Sequence, residues 1–228
     1  MNKTLRIAII GDYNFTYNTH HATNLAIDHA SDFLEIDCNY YWIKISEFVQ
    51  IRPEQQRDFD AFWISPGPYK NPFYLTKIIE HLVKLNTPVL ITGDAYSHFF
   101  ETLVSLHQLN KNGEKLISDN LTSGNVFERV EITPRSAQFQ KLYENHSTTE
   151  LTASRFSLYP QLISNLTEAV VDVEAVNQFE DPEIVSMKNK DFFVACAFCP
   201  QVSSTRELPH PLIYTFLKAS VLQTSSAI

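Results

Sequence analysis

Glycine, cysteine and basic residues are scarce in this chain of 228 residues, and each shortage argues against a class of protein. There are only 5 Gly and 11 scattered Pro, which excludes collagen-like and low-complexity sequence. Three cysteines are too few for a disulfide framework. Lys and Arg number 18 against 26 Asp and Glu, a formal charge of −8, and this balance argues against a nucleic-acid partner.

Long apolar segments are also missing. No run approaches the ~20 residues of a membrane-spanning helix, and no apolar signal-peptide segment follows Met1. Both observations predict a soluble, cytoplasmic protein with no membrane partner. The hydrophobic content of 44% and aromatic content of 12% are those of a globular chain with a large core. Because no linker and no internal repeat interrupts the sequence, a single domain over residues 1–228 is predicted.

The order of the apolar segments predicts an α/β fold. Strands are predicted at 5–10, 34–43, 59–64, 89–92, 126–133, 169–177, 183–187 and 192–198. Helices are predicted at 22–30, capped by Asn18 or Thr19, and at 75–85, 96–109 and 211–222. The alternation in the first half indicates a doubly wound, mostly parallel sheet with helices on both faces, and the second half adds a small antiparallel extension. Segments 5–10, 59–64, 89–92 and 192–198 are expected at the centre, because continuous apolar runs require burial on both faces.

In such a sheet, ligands bind beyond the carboxyl ends of the strands. The loops predicted at that edge are Gly11-Asp12-Tyr13, Pro66-Gly67-Pro68-Tyr69, Gly93-Asp94-Ala95-Tyr96 and Cys199-Pro200-Gln201. We expect these loops to converge on the functional site. Gly11 has no second or third glycine near it, so there is no dinucleotide fingerprint and no cofactor is predicted.

Three segments at this edge resemble the glutamine amidotransferase domain of CTP synthase. DAFWISPGPYKNP (60–72) is similar to its oxyanion strand and Pro-Gly turn, and TPVLITGDAYSHFFETLV (87–104) to its nucleophile elbow. FFVACAFCPQVSSTRELPHPLIYTFLKA (192–219) is similar to its His-Pro-Glu segment and closing helix. A closer similarity, at residues 66–69 and 91–98, is to the CTP synthase C-terminal region-related (seleno)protein family. The resemblance covers essentially the whole chain and implies a flavodoxin-like, class I glutamine amidotransferase fold.

The catalytic residues of that domain are not matched. Its chemistry requires a thiolate on the elbow, a His that activates it and an acid that orients the His. An ungapped alignment places these roles on Gly93, Cys199 and Gln201. The resemblance therefore implies a degenerate protein, a pseudoenzyme without the Cys-His-Glu triad that acts as a small-molecule-binding or regulatory module. Two alternatives stay open: an enzyme with altered chemistry on Asp94, His98 and Cys199, or a CTP synthase-type glutamine hydrolase.

The candidate pocket consists of Asp12, Pro66, Gly67, Tyr69, Gly93, Asp94, His98, Cys199 and Arg155. Asp94 and His98 lie one helical turn apart, which fits either an acid–base pair or a helix-start Asp beside a solvated His. We expect Asp94 to cap its helix, which leaves the helix N-terminus to attract a small anionic metabolite with a carboxylate or phosphate. Arg155 is expected either beside such a ligand or at the surface.

The remaining candidates are cysteines and histidines. Cys196 and Cys199 spell C-x-x-C, and Cys196 is expected in the core while Cys199, at the strand end, is expected to be the more accessible thiol. Two cysteines without a second pair make no closed zinc site, and no metal is predicted. His20 and His21 are expected to be solvated, with a pocket-lining role as the alternative. Partners compatible with these features are a second copy of the chain or a synthetase-like protein.

Overall fold

The structure is a computed structural model and describes residues 4–110, 112–122 and 126–226. Its strands are β1 (Leu5–Ile10), β2 (Cys38–Ile43), β3 (Ala61–Ile64), β4 (Val89–Thr92), β5 (Glu128–Pro134), β6 (Thr149–Thr152), β7 (Val171–Asn177), β8 (Pro182–Met187) and β9 (Phe193–Cys196). Its α-helices are α1 (Asn18–Leu34), α2 (Ile45–Phe48), α3 (Pro53–Gln56), α4 (Phe73–Leu82), α5 (Ala95–Leu106), α6 (Ala137–Leu142), α7 (Pro160–Ala169) and α8 (Pro211–Ser226). A short 3-10 helix spans Pro200–Val202. None of the helices in the described ranges is long and apolar enough to cross a membrane.

The nine strands form one mixed sheet in the order β2-β1-β3-β4-β9-β8-β7-β5-β6. The pairs from β2 to β9 are parallel. The pairs from β9 to β6 are antiparallel. The predicted α/β class, with a parallel part, an antiparallel extension and helices on both faces, is confirmed, and the extension contains four strands.

Two hydrophobic layers sandwich the sheet. In β1, Ile7 and Ile9 belong to the cluster that includes α1 and α8, whereas Ala8 and Ile10 belong to the cluster that includes α4 and α5. This alternation follows from the two-residue period of a strand. Helix α6 joins the α1 and α8 side through Phe139. The four apolar runs predicted to be central are therefore buried on both faces, as their composition requires.

The ends of several elements differ from the prediction. Helix α1 is longer than 22–30 and follows Tyr17, and no side chain caps it, so the expected cap from Asn18 or Thr19 is wrong. The helix ends where Glu35 adopts a left-handed conformation with φ 54°, and β2 therefore begins at Cys38 instead of 34. Helices α2, α3 and α6 and strand β6 were not predicted, because their segments have only four to six residues. Helix α7, with ten residues, was not predicted either.

The strand directions decide what meets at the carboxyl edge of the parallel strands. The loops after β1, β3, β4 and β9 lie there because these strands are parallel neighbours. The antiparallel pairing brings the start of β8 and the ends of β7 and β6 to the same edge. The predicted loops thus share one edge with residues from the antiparallel extension.

Candidate functional site

The turn between β4 and α5 has the geometry of a nucleophile elbow. Gly93 is in the left-handed region with φ +62°. Its N–H donates to the carbonyls of Cys196 and Phe198, each at 3.1 Å, and its carbonyl accepts the N–H of Tyr96 at 2.9 Å. A Cβ at position 93 would lie 2.9 Å from Cβ of Pro66, closer than real Cβ atoms approach one another. The elbow is therefore kept in shape by a residue without a side chain, and Pro66 occupies the space where a side chain would start.

Asp94 leans over the Pro66-Gly67-Pro68-Tyr69 turn instead of capping α5. A Cβ at Gly67 would lie 2.5 Å from Oδ2 of Asp94, which shows how closely the carboxylate covers this glycine. Asp94 already has helical φ and ψ of −56° and −28°, and its side chain makes no capping hydrogen bond. The expectation that Asp94 caps the helix and faces away is wrong, because an N-cap side chain reaches the first-turn N–H groups from an extended backbone.

Tyr69 lies at the centre of the predicted pocket residues. Its hydroxyl donates to the carbonyl of Ser65. Burial raises the pKa of Tyr69 well above its usual value, and electrostatic interactions with Asp94, Cys199 and Asp12 add to this rise. The ring of His98 stands edge-on to it, 6.3 Å between centroids. Tyr69 thus joins four of the predicted residues in one group.

Asp12 fixes the position of this turn. The carboxylate of Asp12 is buried and accepts the backbone N–H of Lys70 at 2.7 Å through Oδ2. This bond connects the loop after β1 to the loop after β3, as the convergence argument predicts.

Cys199 is buried, contrary to the expectation of an accessible thiol. It is 1% exposed, against 0% for Cys196. The N–H of Cys199 donates to the carbonyl of Leu151 in β6 at 2.8 Å, so the unpredicted strand β6 covers it. Burial raises the pKa of Cys199 to about 12, with a further contribution from the charge of Asp94. The thiol is therefore protonated at neutral pH and is a poor nucleophile.

Gln201 is also enclosed. It is 2% exposed, and neither its Nε2 nor its Oε1 has a hydrogen-bond partner among the described residues. A neutral amide next to a protonated thiol cannot replace an acid that orients an imidazole. In this structure Gly93 has no side chain, Cys199 is a buried thiol and Gln201 is a buried neutral amide.

His98 and Arg155 have partners outside the group around Tyr69. Nδ1 of His98 lies 3.1 Å from Oε2 of Glu101, on the outer side of α5. Among the described residues no side-chain hydrogen bond or ion pair joins His98 to Asp94, so the acid–base pair is not formed. Arg155 lies 3.9 Å from Glu128 and stacks over the Phe179 ring at 5.5 Å. The surface interpretation of Arg155 therefore fits its contacts better than the pocket interpretation.

His20 belongs to this edge, although it was expected to be solvated. It is 0% exposed. Its Nδ1 accepts the N–H of Asn14 at 2.9 Å, so Nε2 carries the proton and donates to the carbonyl of Pro66 at 3.3 Å. Burial lowers the pKa of His20, which keeps the ring neutral in this bridging role. His21 is exposed, as expected.

A metal centre has no support in this part of the chain. No group of three or more His, Cys, Asp or Glu side chains within residues 4–110, 112–122 and 126–226 is arranged to hold an ion.

Several solved structures with this arrangement of strands and helices are glutamine amidotransferase domains, and a putative ThuA-like protein from Bacteroides uniformis also superposes, with a TM-score of 0.58 at 9% identity over 96% of this chain and 91% of that one. The glutaminase domain of Trypanosoma brucei CTP synthase, solved with bound acivicin, superposes with a TM-score of 0.71 at 18% identity, over 96% of this chain and 94% of that domain. A glutamine amidotransferase from Thermotoga maritima gives 0.55 at 12% identity, over 97% and 98%. A glutamine amidotransferase from Methylobacillus flagellatus gives 0.52 at 10%, over 100% and 96%. The chain has the class I glutamine amidotransferase fold.

This likeness confirms the fold that the resemblance implied, and at these identities it concerns the fold alone. No family model matches the sequence, and no curated protein matches it either. Within the class I glutamine amidotransferase fold, function has to be argued from the residues at the elbow.

Proposed function

We propose that this chain is a non-hydrolysing member of the amidotransferase-like fold, a module that binds a small molecule beside the elbow and does not cleave glutamine. The observation that carries the proposal is Gly93, which provides no side chain. A Cβ added at this position would lie 2.9 Å from Cβ of Pro66. A thioester mechanism needs a thiol at this position. Neither the residue nor the space for it is present.

The surrounding groups support binding over altered chemistry. An enzyme built on Asp94, His98 and Cys199 would need two of them around a common reacting point. Cys199 is buried with its pKa raised to about 12, and His98 is directed to Glu101. No contact among the described residues favours this alternative.

The position of Asp94 favours a cationic ligand. An anionic metabolite was expected on the condition that Asp94 caps α5, and Asp94 makes no cap. Asp94 makes no ion pair with any described residue, and Asp12 places a second carboxylate beside the same tyrosine. We therefore propose a small molecule with an amine group as the ligand. A second copy of the chain or a synthetase-like partner, and a cytoplasmic location, stay predictions.

Glutamine hydrolysis is the first test. The protein is incubated with L-glutamine and ammonia is measured in a coupled assay, and no release above buffer is expected. A triad-restoring variant, Gly93→Cys with Cys199→His and Gln201→Glu, is expected to be equally inactive because Pro66 still fills the elbow. Turnover of the unmodified protein at even ~1 per second, the low end for ordinary enzymes, would refute the proposal.

Ligand charge is the second test. Butylamine and butyrate have the same apolar body and opposite charges, and binding is followed by chemical shifts of the backbone amides at 66–70 and 93–98. Butylamine is expected to shift these amides, and Asp94→Asn is expected to abolish the effect. Asp172→Asn is the control, because Asp172 is exposed, is paired with Lys188 and lies at the start of β7, at the opposite edge of the sheet. Binding of butyrate that is insensitive to Asp94→Asn would restore the anionic prediction.

A further inference from the structure

A separate cavity lies on the face of the sheet that carries α1, α6 and α8. Its volume is about 350 Å³, within the range of small-molecule sites. The residues that line it are Phe33, Gln138, Lys141, Leu142, His146, Leu208, Pro209, Pro211, Tyr214 and Thr215. We call it the α6–α8 cavity. None of the elbow residues lines it.

The walls of this cavity are apolar and aromatic. Phe33 and Tyr214 meet edge to face, with ring centroids 5.7 Å apart. Phe33 is 55% exposed and Leu208 is 46% exposed, so large apolar side chains at the rim face solvent. An aromatic body placed here would cover both and gain the free energy of removing apolar surface from water.

The polar side chains that line the cavity favour a negatively charged ligand. None of its ten lining residues is acidic, although the whole chain carries a formal charge of −8. Lys141 is exposed and makes no ion pair with any residue the structure describes. Burial lowers the pKa of His146, so at neutral pH Lys141 is the positive charge of the site. The acidic Asp32, next to Phe33, is already paired with Arg206 at 3.2 Å.

Two cavities on the opposite face of the sheet lack this selectivity. One is lined by Glu114 and Glu168 among other residues, and another by Glu101 and Asp119. Carboxylates in those walls would repel an anion, whereas the α6–α8 cavity would attract it.

The histidine behind this cavity is not available as a base. His210 stands between Pro209 and Pro211, and its Nδ1 accepts the N–H of Leu212 at 3.2 Å. Nε2 therefore carries the proton and donates to Oε1 of Glu150 at 2.9 Å. Since both ring nitrogens of His210 are occupied inside the protein, this histidine contributes no acid–base chemistry to the cavity.

We propose that the α6–α8 cavity binds a small aromatic carboxylate, with its ring against Phe33 and Tyr214 and its carboxylate beside Lys141. This proposal is independent of the function proposed for the elbow, because no residue is shared between the two places.

The test uses two probes that differ in charge alone. 4-Phenylbutyrate and 4-phenylbutylamine share one ring and one chain length, and each is titrated into ¹⁵N-labelled protein. Phenylbutyrate is expected to shift amides at 138–146 and 208–215, with a Kd of about 1 mM for a ligand of this size. Phenylbutylamine is expected to bind more weakly. Equal binding of the two probes, or shifts confined to 66–70 and 93–98, would overturn the proposal.

Variants at exposed positions complete the test. Lys141→Met is expected to weaken phenylbutyrate binding about five-fold, and Lys84→Met, on the opposite face of the sheet, is the matched control without effect. Leu208→Glu places a carboxylate at the rim and is expected to reverse the preference in favour of the amine. If Lys141→Met binds phenylbutyrate as tightly as Lys84→Met, or if Leu208→Glu leaves the preference unchanged, the site is wrongly assigned.

Discussion

Replacing Gly93 with alanine separates two reasons why a side chain is excluded from the elbow. Gly93 has φ +62°, and Gly113 has the similar value of +67°. An added Cβ at Gly93 would lie 2.9 Å from Cβ of Pro66, whereas at Gly113 no atom lies within 4 Å. Gly113→Ala therefore measures backbone strain alone, and Gly93→Ala measures the same strain together with the steric conflict.

The expected magnitudes follow from these contacts. A left-handed residue with a Cβ costs ~1–2 kcal/mol, and this cost applies to both variants. Forcing an extra methyl group into packed surroundings costs a further ~1–3 kcal/mol, and this applies to Gly93→Ala alone. The entropic effect of alanine on the unfolded chain is the same at both positions and cancels in the comparison.

The assay is the free energy of unfolding in urea, with thermal melting as a second measurement. For a chain of this size, ~1 kcal/mol corresponds to ~2–4 °C in Tm. The Tm of Gly93→Ala is expected to lie clearly below the Tm of Gly113→Ala. Adding Pro66→Gly to Gly93→Ala is expected to recover part of this difference in stability, and a double-mutant cycle measures the recovered part. Equal destabilisation of the two alanine variants would refute the conclusion that Pro66 closes the elbow.

Three further predictions concern buried polar groups. Burial raises the pKa of Glu183 from 4.5 to about 7. Because of this raised carboxyl pKa, the folded state becomes less stable as pH rises from about 4.5 through about 7. The free energy of unfolding of Glu183→Gln should therefore exceed that of the parent protein by up to ~3 kcal/mol at pH 8 and be nearly equal to it near pH 4.5. Thiol labelling under native conditions should modify the half-buried Cys38 before Cys196 and Cys199, which are buried; early modification of Cys199, detected by mass spectrometry, would contradict its burial. Gln201→Met should raise the free energy of unfolding by ~1–3 kcal/mol, because it removes a buried amide without a partner among the described residues; a loss of stability would show that the amide is satisfied.

Much of the fold could be predicted from the sequence, because its central strands are buried on both faces. A strand such as β4, Val89–Thr92, is fully buried and therefore almost wholly apolar. The turns after β3 and β4 were predictable too, because Pro66-Gly67 and Gly93 mark where each apolar run stops. Their shared position follows from the parallel order of the strands alone.

The environment of Cys199 could not be predicted in this way. It depends on β6, Thr149–Thr152, four residues of mixed polarity that carry no clear strand signal. The bond from Cys199 N–H to the carbonyl of Leu151 spans 48 positions of the chain. A local pattern cannot report such a contact, so the strand-end position wrongly suggested an accessible thiol.

The burial of His20 has a local signal in the sequence. Thr23, Ala26 and Ile27 form the buried face of α1, and His20 lies three residues before the first of them, on the same face. A helix that begins at residue 22, as predicted, puts His20 in the preceding loop. Extending the same periodicity by one turn places His20 in the helix and against the Pro66 turn.

The turn at Gly93 has a structural role that does not depend on a nucleophile. The N–H of Gly93 donates to the carbonyls of both Cys196 and Phe198, so this one turn joins the end of β4 to the end of β9. Its left-handed conformation reverses the chain so that α5 can pack back on the sheet, where Phe99 is completely buried. Folding requires a turn under these constraints, independently of any catalytic activity. The residue that meets them with least strain is glycine, and Pro66 lies where a side chain at this position would start. The glycine at position 93 and the close approach of Pro66 are thus two aspects of one arrangement, so placing a cysteine at position 93 alone should cost stability without producing a glutaminase.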